Sequence, residues 1–248
     1  VIAAGMALSA AAAVWFGRAI GLGRRAGLLI GAGTAVCGTS AIVAAAPLVD
    51  AEDEDITLSV GTVSLLGLIL MFALPAIAAL IGLDQRAFGI WAGSSIHAVP
   101  QVVAAGFTYG PEAGALATLV KLARVALLAP FLLCLTFLTR GAGTGNIPVF
   151  RLIPPFVWGF LALAVINTLG LMPALVVQPL GWDHTATVRL GPWLVEAGNW
   201  LLTLAMAAIG LEVNLRLLIR VGAKGLAAGV AAMIVLCAAS LLLIRALV

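Results

Sequence analysis

Charge is what this sequence has least of. Only 9% of its 248 residues are Asp, Glu, Lys or Arg and 63% are hydrophobic, whereas a soluble domain is roughly a quarter charged and half apolar. Such a shortage excludes an ordinary water-soluble domain. Cysteine and histidine are scarce too. Cys37, Cys134 and Cys237 are odd in number, far apart and each inside an apolar run, so they read as small buried hydrophobes rather than a disulfide framework. Only two histidines occur, neither paired with a cysteine, which argues against a zinc site. No metal or cofactor is expected. There is no Gly-x-x-x-x-Gly-Lys-Ser/Thr loop, so the chain does not itself run on ATP. His-Glu-x-x-His and Gly-x-Ser-x-Gly are also missing, which argues against a hydrolase. The net charge of +3 gives no sign of a nucleic-acid partner, because the basic residues sit in short loops between apolar runs.

What the sequence does have is length without charge. Eight apolar segments can be marked, at 1–17, 28–49, 56–81, 90–106, 113–139, 152–175, 193–213 and 225–247. Most approach or exceed the roughly 20 residues that cross about 30 Å of hydrocarbon. The fold expected is an all-α polytopic transmembrane helix bundle, its partner the lipid bilayer. No long linker divides it, so residues 1–248 form a single domain. The chain opens on Val1 inside an apolar run without a signal peptide, and helices upstream of Val1 are expected. Trp15, Trp91, Trp182 and Trp193 fall near segment ends, where indoles favour the membrane interface.

If all eight segments cross, loops 18–27, 82–89, 140–151 and 214–224 share one side and hold nine Lys or Arg, whereas the other side holds Arg189 and Arg245. The positive-inside bias makes the first set cytoplasmic and turns the acidic run at 50–55 outward. If Val36–Pro47 re-enters instead of crossing, that acidic loop moves inside. Ala3-Ala-Gly5 and Ala227-Ala-Gly229 open segments running in opposite directions, a faint sign of inverted repeats.

Two stretches interrupt their apolar runs. In Trp91–Gly106, Ser94, His97 and Gln101 fall at i, i+3 and i+7, one narrow polar stripe if the segment is a helix. Pro100 cannot donate to the carbonyl of Ile96, so the helix kinks or leaves that carbonyl bare, and in hydrocarbon it needs another partner. In Gly31–Pro47, Gly38, Thr39 and Ser40 break the middle of the run. Glycine lets a backbone unwind, and a half-helix starting there would aim N–H groups at an anion. Gly93-Ser94-Ser95 offers the same device. The structural alternative for both stretches is a small-residue packing face with interhelical hydrogen bonds. Lys121 and Arg124, at i and i+3 in segment 113–139, share a face. Arg124 lies roughly 17 Å from the start of its segment, so its charge must be answered inside the protein by an acid such as Glu196 or Glu112, by carbonyls, by water or by an anion.

These residues carry a resemblance. Val36-Cys-Gly-Thr-Ser-Ala-Ile42, the acidic Glu52–Asp55 loop, Trp91-Ala-Gly-Ser-Ser-Ile-His97, Gln101-Val-Val-Ala-Ala-Gly106, Lys121-Leu-Ala-Arg124, Ala205–Leu211 and Gly222-Ala-Lys224 resemble the YeiH-like inner-membrane proteins, a family described as sulfate exporters. The likeness runs over essentially the whole chain. Many family members carry an acid directly after the histidine, where this chain has Ala98, so its coupling or substrate is expected to differ. The resemblance implies a multi-pass protein of the cell inner membrane, built on inverted repeats with discontinuous helices. It also implies a secondary transporter exporting a small anion, sulfate or organosulfonate-like, and not an enzyme. Gly38, Thr39, Ser40, Ser94, Ser95, His97, Gln101, Lys121 and Arg124 are the expected substrate-binding residues. A coupling ion, proton or sodium, and a homo-oligomer are compatible with it. Two alternatives stay open: a cation-coupled importer of an organic acid, and an intramembrane enzyme using His97 as base.

Overall fold

The computed structural model describes residues 2–140, 155–171, 174–177, 186–212 and 222–247. In chain order the elements are α1 (Ile2–Ala19), α2 (Arg24–Ala35), α3 (Thr39–Ala45) with a 3-10 turn at Ala46–Leu48, α4 (Asp53–Leu80), α5 (Gln85–Ser95), α6 (Val99–Tyr109), α7 (Pro111–Ala126), α8 (Leu128–Arg140), α9 (Pro155–Thr168), β1 (Ala174–Val177), β2 (Ala186–Arg189), α10 (Leu190–Glu212) and α11 (Ala223–Leu247). Contacts sort them into two compact units, Val1–Ile153 with Val213–Val248, and Pro154–Glu212.

The second unit holds α9, the antiparallel pair β1–β2 with Ala174 opposite Arg189, and α10. The apolar run 152–175 is therefore not one helix. It stops at Thr168, turns through Gly170 with φ +67°, and its tail enters a strand. Trp182, expected at the membrane interface, lies outside the described residues.

The first unit is a helical membrane bundle. Among the described residues, Ile2–Ala19, Asp53–Leu80, Pro111–Thr139 (α7 running into α8) and Ala223–Ala246 are long and apolar enough to cross. The helices between them are too short: α2, α5 and α6 have 12, 11 and 11 residues, and α3 has seven. At 1.5 Å per residue each covers about 10–18 Å, well short of the roughly 30 Å hydrocarbon core. Two observations show that each pair turns back. A Cβ on Gly33 would lie 2.8 Å from Ile42 Cδ1, although a straight helix would separate residues nine apart by about 13 Å. The rings of Phe88 and Tyr109 stack at 4.1 Å, and the Tyr109 hydroxyl donates to the carbonyl of Leu83. Thus α2–α3 and α5–α6 are re-entrant hairpins.

They enter from opposite ends of the bundle. Arg25, at the start of α2, pairs with Glu52 at the start of α4, and Ser59 reaches the carbonyl of Ala26 at 3.4 Å, so α2 and α4 leave the same end side by side. The acidic run caps this end, with Glu52 and Asp55 closing a capping box on α4. The 28 residues of α4 then carry the chain to the far end, where Asp84 caps α5 by accepting from Ala87 N at 2.7 Å. There Gln85 Oε1 accepts from Glu112 N at 3.1 Å, which returns α6 to its starting end and launches α7. The chain from α2 through α4 and the chain from α5 through α8 are therefore one pattern, hairpin then long helix, used twice in opposite directions. This is the inverted arrangement expected, although its sequence trace is the pair of hairpins rather than the Ala-Ala-Gly match.

This path corrects the crossing map. Neither 28–49 nor 90–106 crosses, so the acidic run shares an end with residues 18–25 and Arg86 moves to the opposite end. Because two crossings were lost together, α8 still ends where α2 begins: Thr139 Oγ1 donates to Leu48 O at 3.3 Å, and Lys224 at the head of α11 reaches Gly21 O at 3.4 Å. Trp91 is not an interfacial anchor. It is buried, and its Nε1 donates to Cys237 O at 2.9 Å. Trp15 and Trp193 are exposed. The cysteines are unpaired, but Cys134 is exposed on α8 rather than buried.

Candidate functional site

Where the two hairpins end, two helix C-termini face each other from opposite sides of the bundle. Each C-terminus leaves its last carbonyls without intrahelical partners and carries about half a negative charge. In hydrocarbon no water is at hand to answer them. Lys121 and Arg124, one helical turn apart on α7, do so instead. Lys121 Nζ donates to Val36 O and to Ile96 O, both at 2.9 Å. Arg124 donates through Nε to Ala35 O at 2.6 Å, through Nη1 to Ser94 O at 2.6 Å, and through Nη2 to Thr34 O. Each cation thus bridges both hairpins. The Ile96 carbonyl bared by Pro100 has found its partner, and Arg124 is answered by carbonyls rather than by an acid; Glu112 is exposed. A hydrogen bond to a charged group contributes about 1.5–3 kcal/mol net, which is why so central an arginine can be kept.

The close approach of α5 and α7 makes this reach possible. A Cβ on Gly93 would lie 2.5 Å from Ala117 O, and one on Gly89 would lie 2.9 Å from Ala113 O. Gly93 is therefore a packing residue within α5 rather than the break itself. The break in the first hairpin is at Gly38, whose φ of +73° and ψ of −129° suit glycine alone. A Cβ there would sit 3.8 Å from His97 backbone and side-chain atoms, so the two tips touch at Gly38 and His97.

The expected stripe of Ser94, His97 and Gln101 does not exist as one helical face, because α5 ends at Ser95 and α6 begins at Val99. Pro100 falls in the first turn of α6, where its missing N–H costs nothing. Gln101 turns away to structural work. Its Oε1 accepts from Ala98 N at 3.3 Å, and its amide lies on Gly67 of α4. Ser40 is exposed and Thr39 half-buried at the start of the seven-residue α3. Ser95 is buried, and its hydroxyl has no hydrogen-bond partner in the protein. Ser94 and His97 lie at the tip and are 3% and 1% exposed. The Ser94 hydroxyl and both His97 ring nitrogens likewise have no hydrogen-bond partner in the protein.

Thr34 is the residue that sequence reasoning missed. It is fully buried in the last turn of α2, its carbonyl is held by Arg124, and its hydroxyl is unpartnered. Its trace was a hydroxyl one turn before the Gly38 break. Left alone, each such buried polar group costs about 1–3 kcal/mol, so four polar atoms at one junction mark it as a place that meets something polar. Among the described residues no group of three His, Cys, Asp or Glu could hold a metal ion.

Comparison with known proteins agrees with a membrane protein. The family "Conserved hypothetical protein 698" matches residues 1–229. The UPF0324 membrane protein TauZ of Paracoccus denitrificans is 38% identical over 200 residues, 77% of this chain and 54% of that protein. A UPF0324 membrane protein of Agrobacterium fabrum is 34% identical over 76% of this chain and 50% of its own length. Another, of Bradyrhizobium diazoefficiens, is 34% identical over 85% and 57% respectively. The chain spans about half the length of these curated relatives. No solved structure matches it. The chain is thus a multi-pass membrane protein that belongs to the Conserved hypothetical protein 698 family of UPF0324 membrane proteins, as its likeness to the YeiH-like proteins implied.

Proposed function

We propose that this protein is a secondary transporter for a small anion, sulfate or a sulfonate, and that the anion is handled at the junction of the two hairpins. One observation carries the reading: two re-entrant hairpins reach the middle of the bundle from opposite ends, and their touching tips are joined by two cations. A solute reaching a tip from either end has only half a membrane of protein to pass. Lys121 supplies three N–H donors and Arg124 five, and carbonyls take two and three of them. No buried carboxylate among the described residues neutralises the pair, so the junction favours an anion over a cation.

Orientation follows from basic residues. Among the described residues of the first unit, Arg18, Arg24, Arg25, Arg140 and Lys224 gather at the end from which α2 enters, against Arg86 and Arg245 at the other. The first end is therefore cytoplasmic, in the bacterial inner membrane, and the acidic run with it. Transport proceeds without chemical change of the anion.

The test is counterflow in proteoliposomes. Vesicles loaded with unlabelled sulfate or methanesulfonate are diluted into the ³⁵S-labelled anion. Transient uptake of intact label above that in protein-free vesicles is expected. A covalently altered product, or no uptake of either anion, would overturn the reading.

A further inference from the structure

Resting on the transporter reading, the geometry points to the Thr34 hydroxyl, the Ser94 hydroxyl and the His97 imidazole as the groups that touch the anion. Lys121 and Arg124 chiefly hold the hairpins that present them. Both cations spend most of their donors on backbone: five bonds run to the carbonyls of Thr34, Ala35, Val36, Ser94 and Ile96. An anion that took those donors would release the ends of two helices. Further unspent hydrogen-bonding capacity lies on their neighbours. Thr34 and Ser94 are the two residues whose carbonyls share the Arg124 guanidinium through Nη2 and Nη1, one from each hairpin. His97 follows Ile96, whose carbonyl holds Lys121, and abuts Gly38 at the opposite tip. All three side chains are nine-tenths buried or more, and all four of their polar atoms lack a partner.

Two hydroxyls and an imidazole N–H are neutral donors, and beside them the cations provide a positive field with few free hydrogens. That combination recognises a small oxyanion with several outward lone pairs, a sulfate, sulfonate or carboxylate, rather than a halide or a bulky apolar anion. It also gives each hairpin one hydroxyl on the same ligand, so binding joins the tips as the cations do.

The assay is thermal unfolding of the purified protein, titrated with sodium sulfate and with sodium methanesulfonate against sodium chloride at matched ionic strength. Wild type is compared with Thr34→Val, Ser94→Ala and His97→Gln. A hydroxyl kept for a ligand has no partner to lose, so T34V and S94A should melt at or above the wild-type temperature without oxyanion. Each of the three should need at least tenfold more of the stabilising oxyanion for the same shift. Wild-type stabilisation that all three variants retain would overturn this assignment while leaving the transporter reading intact. T34V and S94A melting well below wild type without oxyanion would overturn it too, by showing the hydroxyls to be structural. No stabilisation of wild type by either oxyanion over chloride would count against the transporter reading itself.

Discussion

Replacing Arg124 by Gln should unsettle the fold before it affects recognition. The substitution removes three charge-assisted bonds, to Thr34, Ala35 and Ser94. At about 1.5–3 kcal/mol each, their loss amounts to roughly 4.5–9 kcal/mol. Against this stands the cost of keeping arginine at mid-depth, about 2.5–3.5 kcal/mol, which the mutant no longer bears. A glutamine amide recovers one neutral bond of about 1 kcal/mol. The balance is a destabilisation of about 3 kcal/mol. For a chain of this size 1 kcal/mol shifts the midpoint by about 2–4 °C, so the melting temperature should fall by about 6–12 °C. Intrinsic fluorescence during a thermal ramp in detergent reads this, with the exposed Arg25–Glu52 ion pair as control. An Arg124→Gln protein that melts with the wild type would refute the reasoning, because the carbonyls would then need no cation.

Three further outcomes follow from single positions. Glu52→Gln should change stability by less than about 1 kcal/mol, since both partners of its ion pair are solvent-exposed; a larger loss in the same melt would contradict the surface assignment. Gly38→Ala should cost about 1–3 kcal/mol from backbone strain alone, because the space around its Cβ is open to 3.8 Å, and an unshifted melting temperature would disprove the positive φ. Gly93→Ala should also cost about 1–3 kcal/mol, through overpacking against Ala117 O and Val120, and a neutral result would mean that α5 and α7 are farther apart.

The membrane character, the two interrupted stretches and the need to satisfy Arg124 were all legible in the sequence. Hydropathy, glycine and proline report on a chain's local options, and Gly38 and Pro100 marked the places where helices could not continue. What happens after a break was not legible. Whether α3 and α6 carry on across the membrane or fold back depends on tertiary contacts such as Phe88 on Tyr109 and Arg25 with Glu52, and these join residues 21 and 27 positions apart without a periodic signal. The stripe reading of Ser94, His97 and Gln101 failed for the same reason, since a period of 3.6 means nothing across a break. The partners of Lys121 and Arg124 are backbone carbonyls, which every residue carries, so no pattern of side chains could announce them. Trp91 and Trp15 differ only in what packs around them, and sequence position gave both the same interfacial reading.

The opposed hairpins are the claim on which the rest stands, and sidedness tests them most directly. Single cysteines at positions 23, 54, 86 and 112, all exposed, are placed in a background without the three native cysteines. Each is probed in intact cells and in inverted vesicles with a thiol reagent that cannot cross the membrane. Opposed hairpins predict that 23 and 54 label together from one face, and that 86 and 112 label together from the other. Positions 23 and 54 labelling from opposite faces, or 86 and 112 doing so, would mean that the segment between them crosses the membrane, and the account of the site would fall with it.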